Sequence, residues 1–320
     1  MHILDELAGL ESLLRRHGYA IQSRRVCFRE VPIKALASWS RHEEIYLSVG
    51  TLSLDAAGQQ LGDFLRAGNV SFNLDCTRSI GQAEVELLLR IIREAPAKTF
   101  LFTYTFHNRP SSPFFPSATF ERPGFSVGLQ STDLAENCST LEEWIAAMRE
   151  VWDEIAGLFG QDPRFLGIDS SVAPLFRGGS SLIHFVKRIC GSLSRAVTSD
   201  FFLRITRFLA EENPKPVGLC GLMLPCLEDF ELADEYAAGG FPVERNLFLS
   251  LHSGLGVDTY PVGIDEDPAR ILEVLRLLQG LSAKYAKPLS ARFVSDGKAR
   301  IGDMTDFRNQ FLQDVRIRPL

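Results

Sequence analysis

Six apolar, strand-like runs in this chain lead into residues that can move protons, hold metals or grip anions. Val70–Leu74 runs into Asp75-Cys76, and Thr99–Phe106 into His107-Asn108-Arg109. Phe165–Ile168 is followed by Asp169-Ser170-Ser171, and Gly221–Leu224 by Pro225-Cys226-Leu227-Glu228-Asp229. Asn246–Leu251 leads into His252, Gly254, Gly256 and Asp258. The last run contains Arg292 and precedes Ser295-Asp296-Gly297-Lys298, with Gly302-Asp303 just beyond. Where strands and helices alternate, function gathers at the carboxyl ends of the strands. Carboxylates converging there would chelate a divalent ion or act as general acid and base.

On this reading His252, Asp258, Glu228 and Asp229 are the candidate catalytic groups. Asp169 and Asp258 are candidate ligands of a divalent metal. Arg292, Gly254, Gly256 and Asp303 are the candidate contacts to a small anionic substrate. Each position also has a plainer explanation. Asp and Ser after a strand cap the next helix well, and for any single position that is the stronger reading; for six ends together a polar mouth is stronger. His252 fits a hydrogen-bonded structural histidine as well as a proton-transfer group. Arg292, on an otherwise apolar strand, would either clamp a carboxylate or phosphate bidentately or bridge to Asp169 or Asp258. Gly254-Leu-Gly256 has the spacing of a backbone that approaches a ligand closely, but a dinucleotide fingerprint needs a third glycine and an opening helix.

The elements that must position these residues alternate along the whole chain. Leu4, Leu7, Leu10 and Leu14 recur at helical spacing up to Gly18. A strand-like run follows from Ala20 to Phe28, then a short one at Ile45–Val49. Ala56–Arg66 and Ile80–Ala95 read as helices, flanking the period-two strand Val70–Asp75. A Pro-rich loop, His107–Pro123, is long enough to be a lid. Phe125–Leu129 is strand-like, and Ser139-Thr-Leu-Glu142 is a capping box opening a helix to Phe159. Beyond the strand Phe165–Asp169, helices are expected at Ser180–Ile189 and Asp200–Glu211. Strands follow at Gly221–Pro225, Asn246–Leu251 and Leu289–Val294. A helix capped by Glu228 or Asp229 and closed by Gly239-Gly240 lies among them, as does one opened by Asp267-Pro268 that runs to Tyr285. Eight to ten strands separated by helices predict an α/β fold, a closed or nearly closed barrel with outer helices. No linker or repeat divides residues 1–320, so a single domain is expected.

Composition narrows the partners. Hydrophobic residues make up 45% and charged residues 23% of 320, values of a chain that buries a core. Net charge is −6 with scattered Lys and Arg, which argues against nucleic acid or an anionic membrane as partner. No apolar run approaches the roughly 20 residues of a membrane span. The N-terminus reads as an acidic amphipathic helix rather than a leader, so a cytoplasmic location is expected. The six cysteines, Cys27, Cys76, Cys138, Cys190, Cys220 and Cys226, show no metal or disulfide spacing and read as reduced core thiols.

Two of the polar blocks carry a resemblance. Gly221-Leu-Met-Leu-Pro-Cys-Leu-Glu-Asp229 and Gly254-Leu-Gly-Val-Asp-Thr-Tyr-Pro261 resemble domain-of-unknown-function family 711, also called uncharacterised protein family 0210. Gly167-Ile-Asp-Ser-Ser-Val-Ala-Pro174, Lys287-Pro-Leu-Ser-Ala-Arg292 and Gly302-Asp303 match in the same order. Tyr19-Ala-Ile-Gln-Ser-Arg-Arg25 is a fainter echo, and His107–Phe125 has no match. The resemblance implies a barrel like that of pyruvate formate-lyase, ten strands in two halves, and a homodimer. It implies no activity. Where such proteins read Cys-Gly-Thr-Gly-Leu-Asp-Thr, this chain has Ser253-Gly-Leu-Gly-Val-Asp-Thr259, so chemistry needing that thiol is not expected. Glycyl-radical chemistry, suggested by the fold analogy alone, would need a radical glycine that Arg300-Ile-Gly302 only grazes, although Cys226 remains. The expected function is metal or acid–base catalysis on a small anionic metabolite. The alternative is a non-catalytic metabolite-binding or regulatory homo-oligomer.

Overall fold

A computed structural model describes residues 2–36, 39 and 44–320. Its central sheet has six strands in the order β1-β2-β3-β4-β8-β7. These are β1 (Arg24–Cys27), β2 (Ile45–Leu52), β3 (Val70–Asp75), β4 (Phe102–Phe106), β7 (Gly256–Pro261) and β8 (Leu289–Val294). The strands β5 (Phe125–Gly128) and β6 (Phe165–Asp169) form a separate parallel pair. Strands β1 to β4 run parallel, as do β7 and β8, but β4 meets β8 antiparallel. The fold is therefore mixed α/β with a mostly parallel sheet.

The helices are α1 (His2–Arg16), α2 (Leu54–Arg66), α3 (Gln82–Glu94), α4 (Leu141–Phe159) and α5 (Leu182–Cys190). They continue as α6 (Leu193–Val197), α7 (Phe201–Glu211), α8 (Phe230–Ala237), α9 (Val243–His252) and α10 (Pro268–Tyr285). None of the described helices is long and apolar enough to cross a membrane. Local chemistry explains their ends. Asp267 accepts from the Ala269 N–H at 2.9 Å and Pro268 opens α10, as expected. In α4 the cap is Thr140, one residue later than expected: its hydroxyl accepts from Glu143 N–H, while Glu143 accepts from Ser139 N–H at 2.6 Å.

Period-two patterning sorts the strands into an outer and an inner face. Phe72, Phe102 and Tyr104 face the helices: Phe72 meets Phe64 of α2 at 4.8 Å, and Tyr104 donates its hydroxyl to the Glu84 carbonyl of α3. The alternate positions are small and polar, with Ser48, Ser71, Asn73, Thr103 and Thr105 all buried. The amide oxygen of Asn73 accepts from the Thr51 and Thr105 hydroxyls, while its nitrogen donates to the carbonyls of Pro116 and Ala118. That pair of bonds ties the Pro-rich loop to the inner face of the sheet.

Two strand expectations are corrected. Asn246–Leu251 belongs to α9 rather than to a strand. Among its buried residues Val243, Asn246, Leu247 and Ser250 have helical spacing, with Leu249 buried beside them. Gly221–Pro225 makes only isolated parallel bridges, Leu222 with Val172 and Gly254, and Pro225 with Asp258. The described strands do not form a closed ladder, since nothing pairs β1 with β5. The reversal at β4–β8 also means that the carboxyl ends of β7 and β8 lie opposite those of β1–β4. The polar ends therefore cannot share one rim.

Candidate functional site

The inner face of the sheet opens on a cavity of about 150 Å³. Arg25 of β1, Tyr46 of β2, Thr103 of β4, Gly256 and Asp258 of β7, and Ser290 and Arg292 of β8 line it. The Met223–Pro225 segment, Glu228 and the loop residues Phe114–Ser117 complete the wall, with Phe100 and Phe311 at one side. Arg25, Asp258 and Arg292 sit within strands, whereas Glu228 lies in the turn between Pro225 and α8.

Arg292 organises one side. Its Nε donates to Asp258 Oδ1 at 2.6 Å, its Nη2 to Glu228 Oε1, and its Nη1 to the Phe100 carbonyl at 3.4 Å. The guanidinium carbon also lies 5.0 Å from the centre of the Phe100 ring. Two carboxylates thus share one buried cation, the bridge to Asp258 foreseen as one of two roles for Arg292. Burial pushes the Glu228 carboxyl up to about 7. Asp258 adds repulsion, and Arg292 and Arg25 oppose both.

Arg25, which the sequence reading left out, faces the same cavity. Its Nε donates to the Ser23 hydroxyl at 2.9 Å and its Nη1 to the Pro113 carbonyl at 2.8 Å. The guanidinium lies over the rings of Phe114 and Phe115, at 6.0 and 5.8 Å. Among the described residues none of these partners is a carboxylate. Burial lowers its hold on the proton, and the charge of Glu228 opposes that effect. A guanidinium nonetheless stays charged. The signal for Arg25 was available: a second arginine inside a short strand run, the same pattern that singled out Arg292.

The structure brings Glu228, Asp258, Arg292 and Gly256 together at the cavity and places the other candidates elsewhere. Gly256 has φ +108°, and a Cβ there would lie 2.0 Å from the Ser290 carbonyl oxygen. Gly256→Ala is expected to cost roughly 2–4 kcal/mol, read by urea unfolding, because both strain and the β7–β8 contact are lost. A cost under about 1 kcal/mol would show that the strands can part without penalty.

Asp229 points away from the cavity and caps two helices. Its Oδ1 accepts from the Ser181 hydroxyl and the Glu231 and Leu232 N–H groups; Oδ2 accepts from Leu182 and Ile183 N–H. Burial pushes its carboxyl up to about 6, against the pull of those donors. Asp169 is likewise enclosed. It accepts from Ser171 N–H and hydroxyl and from the N–H groups of Leu219 and Cys220. Gly218, at φ +73°, makes this wrapping possible, since a Cβ there would come within 2.3 Å of Asp169 Oδ2.

His252 ends α9, where its Nδ1 pairs with the Ser253 hydroxyl at 2.7 Å and its ring meets Phe248 edge-on. Burial and then Lys287 lower its pKa. Gly254 forms the bridge to Leu222. Asp303 is exposed and accepts from Arg300 N–H in a local turn. None of these five lines the cavity. The six cysteines are free thiols, and burial raises Cys76 and Cys226 well above the usual thiol range.

The carboxylates do not suit a metal. Among the described residues no three His, Cys, Asp or Glu side chains are gathered to hold one. Asp169 is filled by protein donors, and Asp258 and Glu228 already share the charge of Arg292. What fold and site define is a mixed α/β protein with a two-arginine, two-carboxylate cavity inside its sheet. The family model described as "Uncharacterised ACR (DUF711)" matches residues 68–309, and the chain belongs to that family. No curated protein matches it.

Proposed function

We propose that the chain is an acid–base enzyme acting on a small anionic metabolite held in the interior cavity, with Glu228 as the proton-transfer group. One observation carries this reading: a cavity-lining carboxyl raised to about 7, facing an arginine that donates to no carboxylate among the described residues. A general acid or base works best when its pKa lies near the working pH. Arg292 would hold Glu228 and Asp258 in place and Arg25 would bind the anion, with no step through a metal. Asp229, Asp169 and His252 have no part in this scheme.

The same proposal extends to the architecture. The bridges from Val172 to Leu222 and from Leu222 to Gly254 continue the order of strands from β7 toward β6 and β5. Arg25 of β1 donates to Pro113, and a Cβ on Gly128 of β5 would lie 2.8 Å from the Pro113 ring. We read this as a nearly closed barrel, similar to that of pyruvate formate-lyase, with the Pro-rich loop filling its seam.

The test has two parts. Glu228 is expected to titrate near pH 7 in spectra of carboxyl-labelled glutamate, in a signal absent from Glu228→Gln; a midpoint near 4.5 would remove it as the acid–base group. Stability should follow the same group. The folded protein keeps the Glu228 proton up to about pH 7, whereas the unfolded chain loses it near 4.5. Stability from this group therefore falls as pH rises from about 4.5 to 7 and then levels. Glu228→Gln should flatten that slope in urea titrations. For activity, wild type should deplete an anionic metabolite from a small-molecule extract and Glu228→Gln should not. A second reading, a binder without chemistry, draws on the Arg292 bridge, which resembles a structural ion network. Binding of an anion by both proteins, with depletion by neither, would select it.

A further inference from the structure

We propose that the ligand of this cavity is a monocarboxylate with a flat apolar body about the size of one six-membered ring. Arg25 would take the carboxylate and the phenylalanine-rich wall the body. The inference rests on the reading of the cavity as a ligand site and names the chemical class that fits it.

The charges set the valence of the ligand. The cavity lining carries two cations, Arg25 and Arg292, and two anions, Glu228 and Asp258. Arg292 is shared by both carboxylates, so its charge is spent within the protein. With Glu228 protonated beside the ligand, Asp258 balances Arg292 and Arg25 is left to meet an incoming anion, with no second free cation among the described residues of the lining for a phosphate dianion or a dicarboxylate. A guanidinium has five N–H donors. Ser23 and Pro113 take one each from Arg25, and three remain. Its stacking against Phe114 and Phe115 holds the fork in place before the ligand arrives, so little side-chain entropy is lost on binding.

The volume and the walls set the body. A space of about 150 Å³ is of the size that takes a benzene-sized molecule. Phe100, Phe115, Leu219, Met223, Leu255 and Phe311 supply apolar surface around it. Phe100 and Phe311 lie parallel, 6.3 Å apart, and make a flat flank. A short polar anion would leave this surface wet, whereas a planar body covers it, and apolar burial contributes roughly 25 cal/mol per Å². The carboxylate would also enter next to Glu228, so that ligand charge favours the protonated, donating form of that group.

The test uses the full chain and benzoate as probe, with acetate, succinate and inorganic phosphate for comparison, read by calorimetry or ligand-observed NMR. Benzoate is expected to bind at least ten-fold more tightly than each of the other three. Arg25→Met should weaken benzoate at least ten-fold, with Arg25→Lys in between. Ala173 also lines the cavity, and Ala173→Leu, which fills the apolar part and leaves Arg25 in place, should weaken benzoate by a similar factor. Thermal unfolding of each variant checks that it is folded, and Ala173→Leu decides the matter if Arg25→Met is not. Phosphate or succinate binding more tightly than benzoate through Arg25 would overturn the ligand class and leave the anion site standing. Benzoate binding that ignores both substitutions, or no benzoate binding, would overturn the proposal. The titration of Glu228 stands apart from these outcomes, since a midpoint near 4.5 would refute the acid–base reading whatever benzoate does.

Discussion

Arg292→Met is expected to lower the stability of the folded protein by about 3–5 kcal/mol at pH 8, the range for breaking a buried ion pair from one side. The reason lies in what remains. Glu228 and Asp258 are both held by that guanidinium, and methionine leaves two carboxylates inside the sheet without the counter-charge they share and the donors they had. The sign with pH follows. In the variant Glu228, already raised by burial and now without Arg292, takes up a proton at higher pH in the folded state than in the unfolded chain, so the loss should shrink as pH falls toward 5. Urea unfolding at pH 8 and pH 5 measures both quantities. Adding Glu228→Gln and Asp258→Asn to Arg292→Met should recover much of the loss at pH 8, because the buried charges go together. A single-variant loss below about 1 kcal/mol at pH 8 would mean that water reaches the triad freely and that its electrostatics are those of a surface cluster.

The triad also shows how far sequence reasoning reaches in this chain. Glu228, Asp258 and Arg292 were picked out as chemistry-bearing residues near apolar strands, and the structure joins them. Strand Val70–Asp75 was legible to the residue from its period-two alternation, and Phe165–Asp169 from its short apolar run ending in Asp-Ser-Ser. The helix α10 was legible from Asp267-Pro268. The missed features are of another kind. Residues 246–251 are a short apolar run in which strand and helix periods overlap, and only the wider window from Val243 shows the buried helical stripe. The antiparallel meeting of β4 and β8 leaves no local trace, because strand direction is a tertiary property. It moved the site from an imagined rim to the sheet interior. Arg25 carries the same local pattern as Arg292, but what makes it a site residue, Pro113–Phe115 closing over it from some ninety residues downstream, leaves no trace beside it in the sequence.

Asp229 gives the sharpest separation between a site residue and a supporting one. It was read both as a helix cap and as a catalytic acid, and it stands next to Glu228, which lines the cavity. Its carboxylate, however, accepts four backbone N–H groups and one hydroxyl across the starts of α5 and α8. Asp229→Ala should therefore cost about 3 kcal/mol: each lost cap is worth roughly 0.5–2 kcal/mol, and the Ser181 hydroxyl is left buried without its partner. Asp229→Asn keeps one accepting oxygen and should cost about half as much. Neither change should alter benzoate affinity by more than two-fold at temperatures where the variant is folded, since Asp229 does not line the cavity. Denaturation and calorimetry on the same samples give both answers. A variant of normal stability that no longer depletes the metabolite consumed by wild type would restore Asp229 as a catalytic group. A large stability loss with binding intact would place it with Asp169, as a carboxylate that ties segments of backbone together behind the site.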